Sequence, residues 1–335
     1  EVRRTDEHIE RWLVARDSFS AKDPSIMIFN EDFLTQFSGT PRIGFPVFET
    51  DKFTPRQLAA MRSCDYLLTP TVWGKRVLGL NGFTNVHVVN EGFDPEQFPL
   101  IENLILPKNE IVFVHIGKFE VRKGTELAIQ AFTQALEGKR ARLIVKATNP
   151  FMQNEGMPEM QNCLLRLGYN RLDFIGASFY KGELRVDLLR EFHTGKDLQE
   201  ATYACADVGL FPYRAEGWGL PVMECLASGV PVIAGLWSGP TEYLEAFHEP
   251  WYPFLLERSE LVIAEDGVWF HGDRGKWRNP DMAELKAAIL YAHENARFVR
   301  AAQEFQDAVR LFRISFTWRN SALRLEEVLR EICGL

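Results

Sequence analysis

The stretch Glu216-Gly-Trp-Gly-Leu-Pro-Val-Met-Glu224 decides the fold, because it joins two carboxylates through a glycine-rich turn that runs into a helix. The apolar run Asp207-Val-Gly-Leu-Phe-Pro212 directly before it predicts a buried strand that ends at the proline. Gly217 and Gly219 allow a tight turn, and Pro221 suits the first turn of a helix. Such a turn leaves backbone N–H groups at the positive end of the helix, which favours phosphate as the ligand there.

The two glutamates of this stretch flank the predicted anion site. A carboxylate repels a phosphate, so neither side chain suits a direct phosphate contact. Both suit hydroxyl-rich groups, and the pattern therefore favours a sugar at one glutamate and a ribose at the other.

The stretch resembles the signature of the retaining nucleotide-sugar glycosyltransferases of family 4, Glu-Gly-[aromatic]-Gly-Leu-Pro-x-x-Glu. The likeness continues through Ala227-Ser-Gly-Val-Pro-Val-Ile233 and Ser238-Gly-Pro-Thr-Glu-Tyr243, and it covers roughly residues 25–330. The resemblance implies an α/β chain with the GT-B fold, in which two Rossmann-like domains face a central cleft. It also implies transfer of a sugar from a nucleoside diphosphate to an acceptor hydroxyl, with retention of anomeric configuration.

In this family the first glutamate orients the donor sugar and the second binds the ribose. The resemblance thus assigns a catalytic role to Glu216 and a donor-binding role to Glu224. It also predicts that the residues between them line the donor site: Gly217, Trp218, Gly219 and Leu220.

A second motif, Gly117-Lys-Phe-Glu-Val-Arg-Lys-Gly124, follows the predicted strand 111–116. It lacks the order of a P-loop, so ATP hydrolysis is unsupported. The family has Gly-Arg-x-x-x-x-Lys-Gly here, which implies that Gly117, Lys118 and Lys123 hold the diphosphate and that Lys123 is catalytic. A lysine at 118 in place of arginine loses the planar, two-pronged grip on an oxyanion. Arg122 is interpreted as a bystander.

Three polar residues behind predicted strands are candidates for the acceptor side. Glu49 matches an acidic position in a subset of these transferases, with a simple helix cap as the alternative. Asn30 and Glu31 follow a strand and are interpreted as part of the acceptor pocket. Lys146 ends a strand at the sheet edge where ligands bind in open α/β sheets, which predicts a donor contact, although a solvated strand end is the alternative.

Length and composition fit a globular enzyme. A chain of 335 residues exceeds the size at which one core usually divides, so two domains are expected. The resemblance places them at 1–98 for the acceptor side and 99–314 for the nucleotide sugar, with a helix at 315–335 crossing back. The family opens with a strand and a glycine-rich loop that the first 98 residues lack, so we expect the first domain to be truncated at its start, with a naturally small first domain as the alternative.

Alternating apolar runs and helical patterns predict parallel sheets with crossover helices. The expected strands lie at about 26–29, 42–47, 65–69, 86–89, 111–116, 142–147, 172–176, 207–211, 230–234 and 261–263. The expected helices lie at about 6–19, 55–63, 124–137, 281–296, 297–313 and 318–332. The stretch 177–195 is longer than a connection needs and is interpreted as a lid or an acceptor loop.

The net charge and the motifs restrict the classes of partner and cofactor that the protein is expected to bind. A net charge of −8 argues against nucleic acid and against strong attraction to anionic lipid. Five scattered cysteines and no signal peptide favour a cytoplasmic protein, at most peripheral at the inner membrane face. No Asp-x-Asp motif is present, so we expect no metal and no cofactor. The resemblance implies a role in polysaccharide biosynthesis, with a glycan, lipid-linked or other hydroxyl as acceptor.

Two classes of alternative remain open. One is another GT-B enzyme, such as a phosphorylase or a sugar-nucleotide epimerase. The other is a catalytically weak or inactive partner subunit that keeps the fold.

Overall fold

One parallel sheet, one mostly parallel sheet and one antiparallel hairpin form the framework of the described residues. The computed structural model describes residues 6–101, 109–171, 177–190 and 194–334. The predicted strand 172–176 lies outside the described residues. In chain order the strands are β1 Ser25–Phe29, β2 Arg42–Pro46, β3 Tyr66–Thr69, β4 Val86–Val88, β5 Ile111–Ile116, β6 Ala141–Lys146, β7 Asn170–Arg171, β8 Ser178–Lys181, β9 Leu184–Leu188, β10 Val208–Phe211, β11 Val232–Gly235, β12 Leu255–Leu256, β13 Ser259–Glu265 and β14 His271–Pro280.

Helices connect most of these strands, as the alternating pattern predicts. They are α1 Asp6–Ser18, α2 Pro55–Arg62, α3 Val72–Leu80, α4 Thr125–Ala135, α5 Met157–Arg166, α6 Gly195–Ala201, α7 Leu220–Ala227, α8 Thr241–Leu244, α9 Met282–Ala301, α10 Gln303–Ser315 and α11 Trp318–Cys333. None of the described helices is long and apolar enough to span a membrane.

The first sheet has four parallel strands in the order β1-β2-β3-β4. Successive side chains of a strand point to opposite faces, so neighbouring leucines of β3 enter different cores. Leu67 packs with Met61 of α2 and Leu78 of α3 on one face. Leu68 packs on the other face with Val328 of α11. The last helix thus covers one face of the first sheet.

The second sheet has eight strands in the order β12-β11-β10-β5-β6-β9-β8-β7. The pairs from β12 to β9 are parallel, and β9-β8-β7 close the edge in antiparallel pairs. The interpretation of 177–195 as a lid or acceptor loop is therefore wrong for its described part. Leu184, Val186 and Leu188 are buried at alternate positions, which makes this stretch a strand beside β6.

The hairpin β13–β14 reaches from the second domain to the first. Its backbone N–H at Lys276 donates to Asp51 Oδ1 over 2.9 Å. A small apolar cluster joins the hairpin to the second domain, and in it Trp277 and Phe270 pack with Ala215. The turn that carries the glutamate motif is therefore supported by this hairpin.

Candidate active site in the cleft

The glutamate motif forms the strand, tight turn and helix that its sequence predicts. Strand β10 ends at Phe211, and α7 begins at Leu220 with Pro221 in its first turn. Gly219 precedes the helix with φ 88°, a conformation that strongly favours glycine. The first N–H groups of a helix have no acceptor within it, so α7 presents donors and its positive end at this turn.

Glu216 is a buried carboxylate held by two cations. Its Oε1 accepts from Lys123 Nζ over 2.6 Å, and its Oε2 accepts from Arg122 Nη1 over 3.1 Å. Burial by itself raises the pKa of Glu216, but the nearby charges of Lys123 and Arg122 outweigh it, so the pKa lies below its ordinary value. The backbone N–H of Glu216 donates to Ser238 Oγ over 3.1 Å. Glu216 therefore stays ionised and can only accept hydrogen bonds.

Arg122 is the centre of this charge cluster, and its interpretation as a bystander is wrong. The side chain is buried and also approaches Glu120 and Glu49, each over 3.3 Å. Burial lowers the pKa of Arg122, but Glu49, Glu216 and Glu120 raise it above its ordinary value. Because Glu49 follows β2, one guanidinium joins the predicted acceptor side to the donor side.

The two lysines of the second motif lie in different surroundings. Lys123 faces Glu216, whereas Lys118 is half exposed, pairs with Glu120 Oε1 over 3.1 Å and lies over the ring of Phe151. Gly124 needs its positive φ of 73°, and a Cβ there would come within 2.3 Å of the Pro212 carbonyl oxygen. That close approach holds the two motifs against each other.

Gly117 and Lys146 meet at the ends of neighbouring strands. The backbone N–H of Gly117 donates to the Lys146 carbonyl over 3.1 Å. Lys146 is almost buried, and burial lowers its pKa while Glu155 opposes that shift. A Cβ on Gly117 would make only ordinary contact with Lys123, so the space there does not demand glycine.

Glu224 lies one turn into α7, as the motif predicts. Its Oε2 accepts from the Tyr203 hydroxyl over 3.2 Å. Burial raises the pKa of Glu224 to about 7, and the hydrogen bond from Tyr203 opposes this only in part. The second glutamate is thus half protonated near neutral pH, unlike Glu216.

The residues between the two glutamates differ in their surroundings: the Trp218 side chain lies in the core, whereas the backbone of Gly217 contacts the first domain. The Trp218 side chain is buried, donates from Nε1 to Met223 Sδ and packs on Tyr243 and Phe316. The Trp218 indole therefore does not line the donor site as predicted, because the ring is packed in the core. A Cβ on Gly217 would lie 2.8 Å from the Phe48 carbonyl oxygen, so the two domains touch at this glycine. Leu220 is partly exposed at the first helical position.

The predicted acceptor side contributes two buried or half-buried acids. Burial raises the pKa of Glu31 to about 7, and the charges of Glu49 and Asp32 add to the effect while Arg274 opposes it. Glu31 and Glu49 therefore face one region. Asn30 is exposed, and the structure gives it no side-chain role in capping the turn that follows.

One acid was missed by sequence reasoning. Glu91 is partly buried, and burial together with the charge of Glu216 raises its pKa to about 7. It follows β4, whose carboxyl end faces the cleft. The signal that pointed to Glu49, an acid shortly after a parallel strand, was also present here.

Within the described residues no group of three or more His, Cys, Asp or Glu side chains is arranged to hold a metal ion. The expectation of a metal-independent site stays a prediction.

Comparisons with known proteins agree with this geometry. A family model described as Glycosyl transferases group 1 matches residues 110–266, which include both motifs. No protein of curated function is similar enough in sequence to count as a match. Solved structures are similar over nearly the whole chain, as the following three examples show.

Sucrose-phosphate synthase from Thermosynechococcus elongatus aligns with 98% of this chain and 79% of its own, at 16% identity and a TM-score of 0.68. HepE from Anabaena, in complex with UDP and glucose, aligns with 87% and 72% at 16% identity and a TM-score of 0.57. A trehalose-6-phosphate synthase, analysed for glycosyl transfer with retention, aligns with 100% and 80% at 14% identity and a TM-score of 0.61.

These similarities confirm the predicted resemblance to GT-B nucleotide-sugar glycosyltransferases. The mixed α/β architecture with parallel sheets is the two-domain GT-B fold. The family model supports a glycosyltransferase, and the structural neighbours support the fold. Membership of family 4 and the domain boundaries at 98 and 314 stay predictions.

Proposed function

We propose that this protein is a retaining glycosyltransferase that moves a sugar from a nucleoside diphosphate to an acceptor hydroxyl without a metal ion. The observation that carries the proposal is the Lys123–Glu216 pair at the start of α7. It places a cation, a helix N-terminus and an ionised hydrogen-bond acceptor at one point of the cleft.

The diphosphate lies against the second motif. Lys123 has three N–H donors and gives one to Glu216, which leaves two for phosphate oxygens. Backbone N–H groups at Gly219 and Leu220 add donors, and Lys118 adds a second positive charge from the half-exposed side of the loop. These groups stabilise the charge that develops on the diphosphate as it leaves.

The donor sugar contacts the first glutamate of the motif, and the ribose of the nucleoside contacts the second. Glu216 is ionised and accepts hydrogen bonds from sugar hydroxyls, which orients the anomeric carbon. Glu224 accepts from the ribose, and Lys146 ends β6, the neighbour of the strand β5 that leads into the second motif. In the transfer, the acceptor oxygen bonds to the anomeric carbon as the bond to the phosphate oxygen breaks. The acceptor proton goes to that phosphate oxygen on the same face, so no separate base is required.

The acceptor is a hydroxyl on a glycan, bound on the side of Glu49, Glu31 and Asn30. A glycan ligand is present with the neighbour TarM from S. aureus, crystallised with fondaparinux, which supports this choice. A lipid-linked acceptor, a cytoplasmic location and peripheral membrane contact stay predictions from the sequence.

Thermal unfolding with UDP, GDP and ADP, each with and without EDTA, tests the proposal. One of the three should raise the midpoint equally in both conditions. A ligand at a hundredfold excess over its dissociation constant adds about 2.7 kcal/mol to the free energy of unfolding. Loss of the shift in EDTA contradicts the metal-free site, and no shift with any nucleotide contradicts the donor site.

A further inference from the structure

A buried histidine links the two chain segments that carry the active-site motifs. His115 lies in β5 and is 1% exposed. Its Nδ1 is 2.7 Å from the carbonyl oxygen of Leu210, in the strand β10 that leads to Glu216. Its Nε2 is 3.0 Å from Oγ1 of Thr125, the first residue of the helix α4 that follows Lys123. One ring therefore contacts the strand before the glutamate motif and the helix after the second motif.

These contacts fix the tautomer of the ring. A carbonyl oxygen can only accept a hydrogen bond, so Nδ1 carries the proton and donates to Leu210. Nε2 then has a lone pair and accepts from the Thr125 hydroxyl. Burial lowers the pKa of His115 to about 4, while the bond to Leu210 opposes this shift and the charge of Lys123 adds to it. The ring is therefore neutral near pH 7, and both of its nitrogens are hydrogen-bonded.

The ring takes the place of backbone pairing between β5 and β10. The register of these two strands ends with the pair Val114 and Gly209, although both strands continue. The carbonyl of the next residue, Leu210, accepts from the side chain of His115 instead. This interruption lies at the carboxyl ends of two parallel strands, where ligands bind in open α/β sheets. His115 thus connects the two strands at the edge of the sheet that carries the site.

The bridge made by the histidine lies close in sequence to both members of the Lys123–Glu216 pair. Thr125 follows Lys123 by two positions, and Leu210 precedes Glu216 by six. The close backbone approach at Gly124 is a second contact between the same segments. The pair itself spans 2.6 Å, so a shift of about 1 Å between the segments would break its hydrogen bond. Misplacements of that size at a reacting centre are costly to turnover.

The surroundings of the histidine do not by themselves call for a polar residue. Val112, Phe113 and Val114 of the same strand are fully buried, so the core accepts apolar side chains here. An apolar side chain would also avoid the cost of taking an imidazole out of water. The two directional hydrogen bonds are therefore what the histidine contributes.

We propose that His115 is a positioning residue of this site, which sets the separation of Lys123 and Glu216 through its bonds to Leu210 and Thr125. The consequence for nucleotide binding rests on the proposed function, because Lys123 is assigned to the diphosphate there. The geometry of the pair does not rest on it and can be measured without a nucleotide.

Three variants of the full chain test the proposal. H115F keeps an aromatic ring and loses both hydrogen bonds, whereas T125V keeps the histidine and loses the bond to Nε2. T133V is the matched control, because Thr133 lies about two turns further along the same helix. Its buried hydroxyl donates to the Ile129 carbonyl and bonds the Tyr169 hydroxyl, so T133V also removes buried hydrogen bonds.

The first measurement is the distance from Lys123 Nζ to Glu216 Oε1 in crystal structures without nucleotide. We expect it to exceed hydrogen-bonding range in H115F and T125V and to stay as in wild type in T133V. The second measurement is calorimetry with whichever of UDP, GDP and ADP the wild type binds, and with the matching monophosphate. H115F and T125V should weaken binding of the diphosphate about three- to tenfold and of the monophosphate less than about twofold, whereas T133V changes neither.

An unchanged distance between Lys123 and Glu216 in both H115F and T125V overturns the proposal. Equal losses for the diphosphate and the monophosphate, or the same losses in T133V, also overturn it, because they indicate general destabilisation. If H115F does not fold, T125V decides alone. If the wild type binds none of the three nucleotides, the proposed function is contradicted, and the distance in the crystal structures still decides the role of His115.

Discussion

Arg122 and Glu216 form an ion pair in which Nη1 and Oε2 are 3.1 Å apart and both side chains are more than nine-tenths buried. The other terminal nitrogen, Nη2, lies 3.3 Å from Glu49 Oε1 and 3.3 Å from Glu120 Oε2. The orientation of the proposed sugar-binding carboxylate is therefore tied to a residue of the first domain.

Removing this guanidinium should destabilise the fold. In R122M three carboxylates lose their shared partner in a buried setting, so we expect the free energy of unfolding to fall by about 3–5 kcal/mol in urea titrations. R166M is the matched control, because its pair with Glu126 is exposed and is expected to contribute below about 1 kcal/mol. Equal losses in the two variants would show that Arg122 does not hold the cluster together.

Substitution of the first glutamate should lower kcat, whereas substitution of the second should lower the affinity for UDP. E216Q is expected to lower kcat while leaving UDP affinity nearly unchanged, because its proposed partner is the sugar. E224Q is expected to weaken UDP binding by about 1–3 kcal/mol at pH 8, where the wild-type carboxylate is ionised and bonds the ribose. Calorimetry with UDP on both variants decides this, and equal loss of affinity would remove the assigned roles.

Glu224 should also make the free energy of unfolding depend on pH. Its pKa is raised from 4.5 to about 7, so the folded protein keeps a proton that the unfolded chain loses at lower pH. The ionisation therefore destabilises the fold progressively as pH rises from 4.5 to 7, and the effect is constant above that. The E224Q variant has no carboxyl group at this position, so its stability lacks this dependence on pH.

We expect E224Q to gain stability over the wild type across this window, by up to about 3 kcal/mol at pH 8. Glu31 and Glu91 titrate in the same range but are present in both proteins, so the difference isolates Glu224. A stability difference that does not change between pH 4.5 and 8 would contradict the raised pKa.

The contact between the domains at Gly217 should matter for turnover. G217A places a Cβ about 2.8 Å from the Phe48 carbonyl oxygen, so the turn at Gly217 or the backbone at Phe48 must shift. We expect kcat to fall on the order of tenfold, because small misplacements of reacting groups are costly. G79A is the control, since a Cβ on Gly79 meets nothing within 4 Å. Wild-type turnover by G217A would show that the contact tolerates opening.

The sequence predicted elements better than it predicted which side chains meet. The strand 111–116, the turn at Gly219 and the position of Glu224 follow from local apolar runs and backbone preferences. The role of Arg122 could not be predicted, because its partners Glu49 and Glu216 come from distant strand ends. Trp218 lies between two glycines, where spacing does not fix which way a side chain points.

The packing of α11 on the first sheet has a consequence for the order in which the protein folds during synthesis. Leu68 and Ile43 bury one face of their sheet against Val328, a residue that the ribosome adds long after the sheet itself. Until then that apolar face has no cover, and exposed sheet faces of partly folded chains are prone to aggregate. The first domain emerges early but is completed late, so stalled or shortened chains that lack α11 should need chaperones more than the finished protein does.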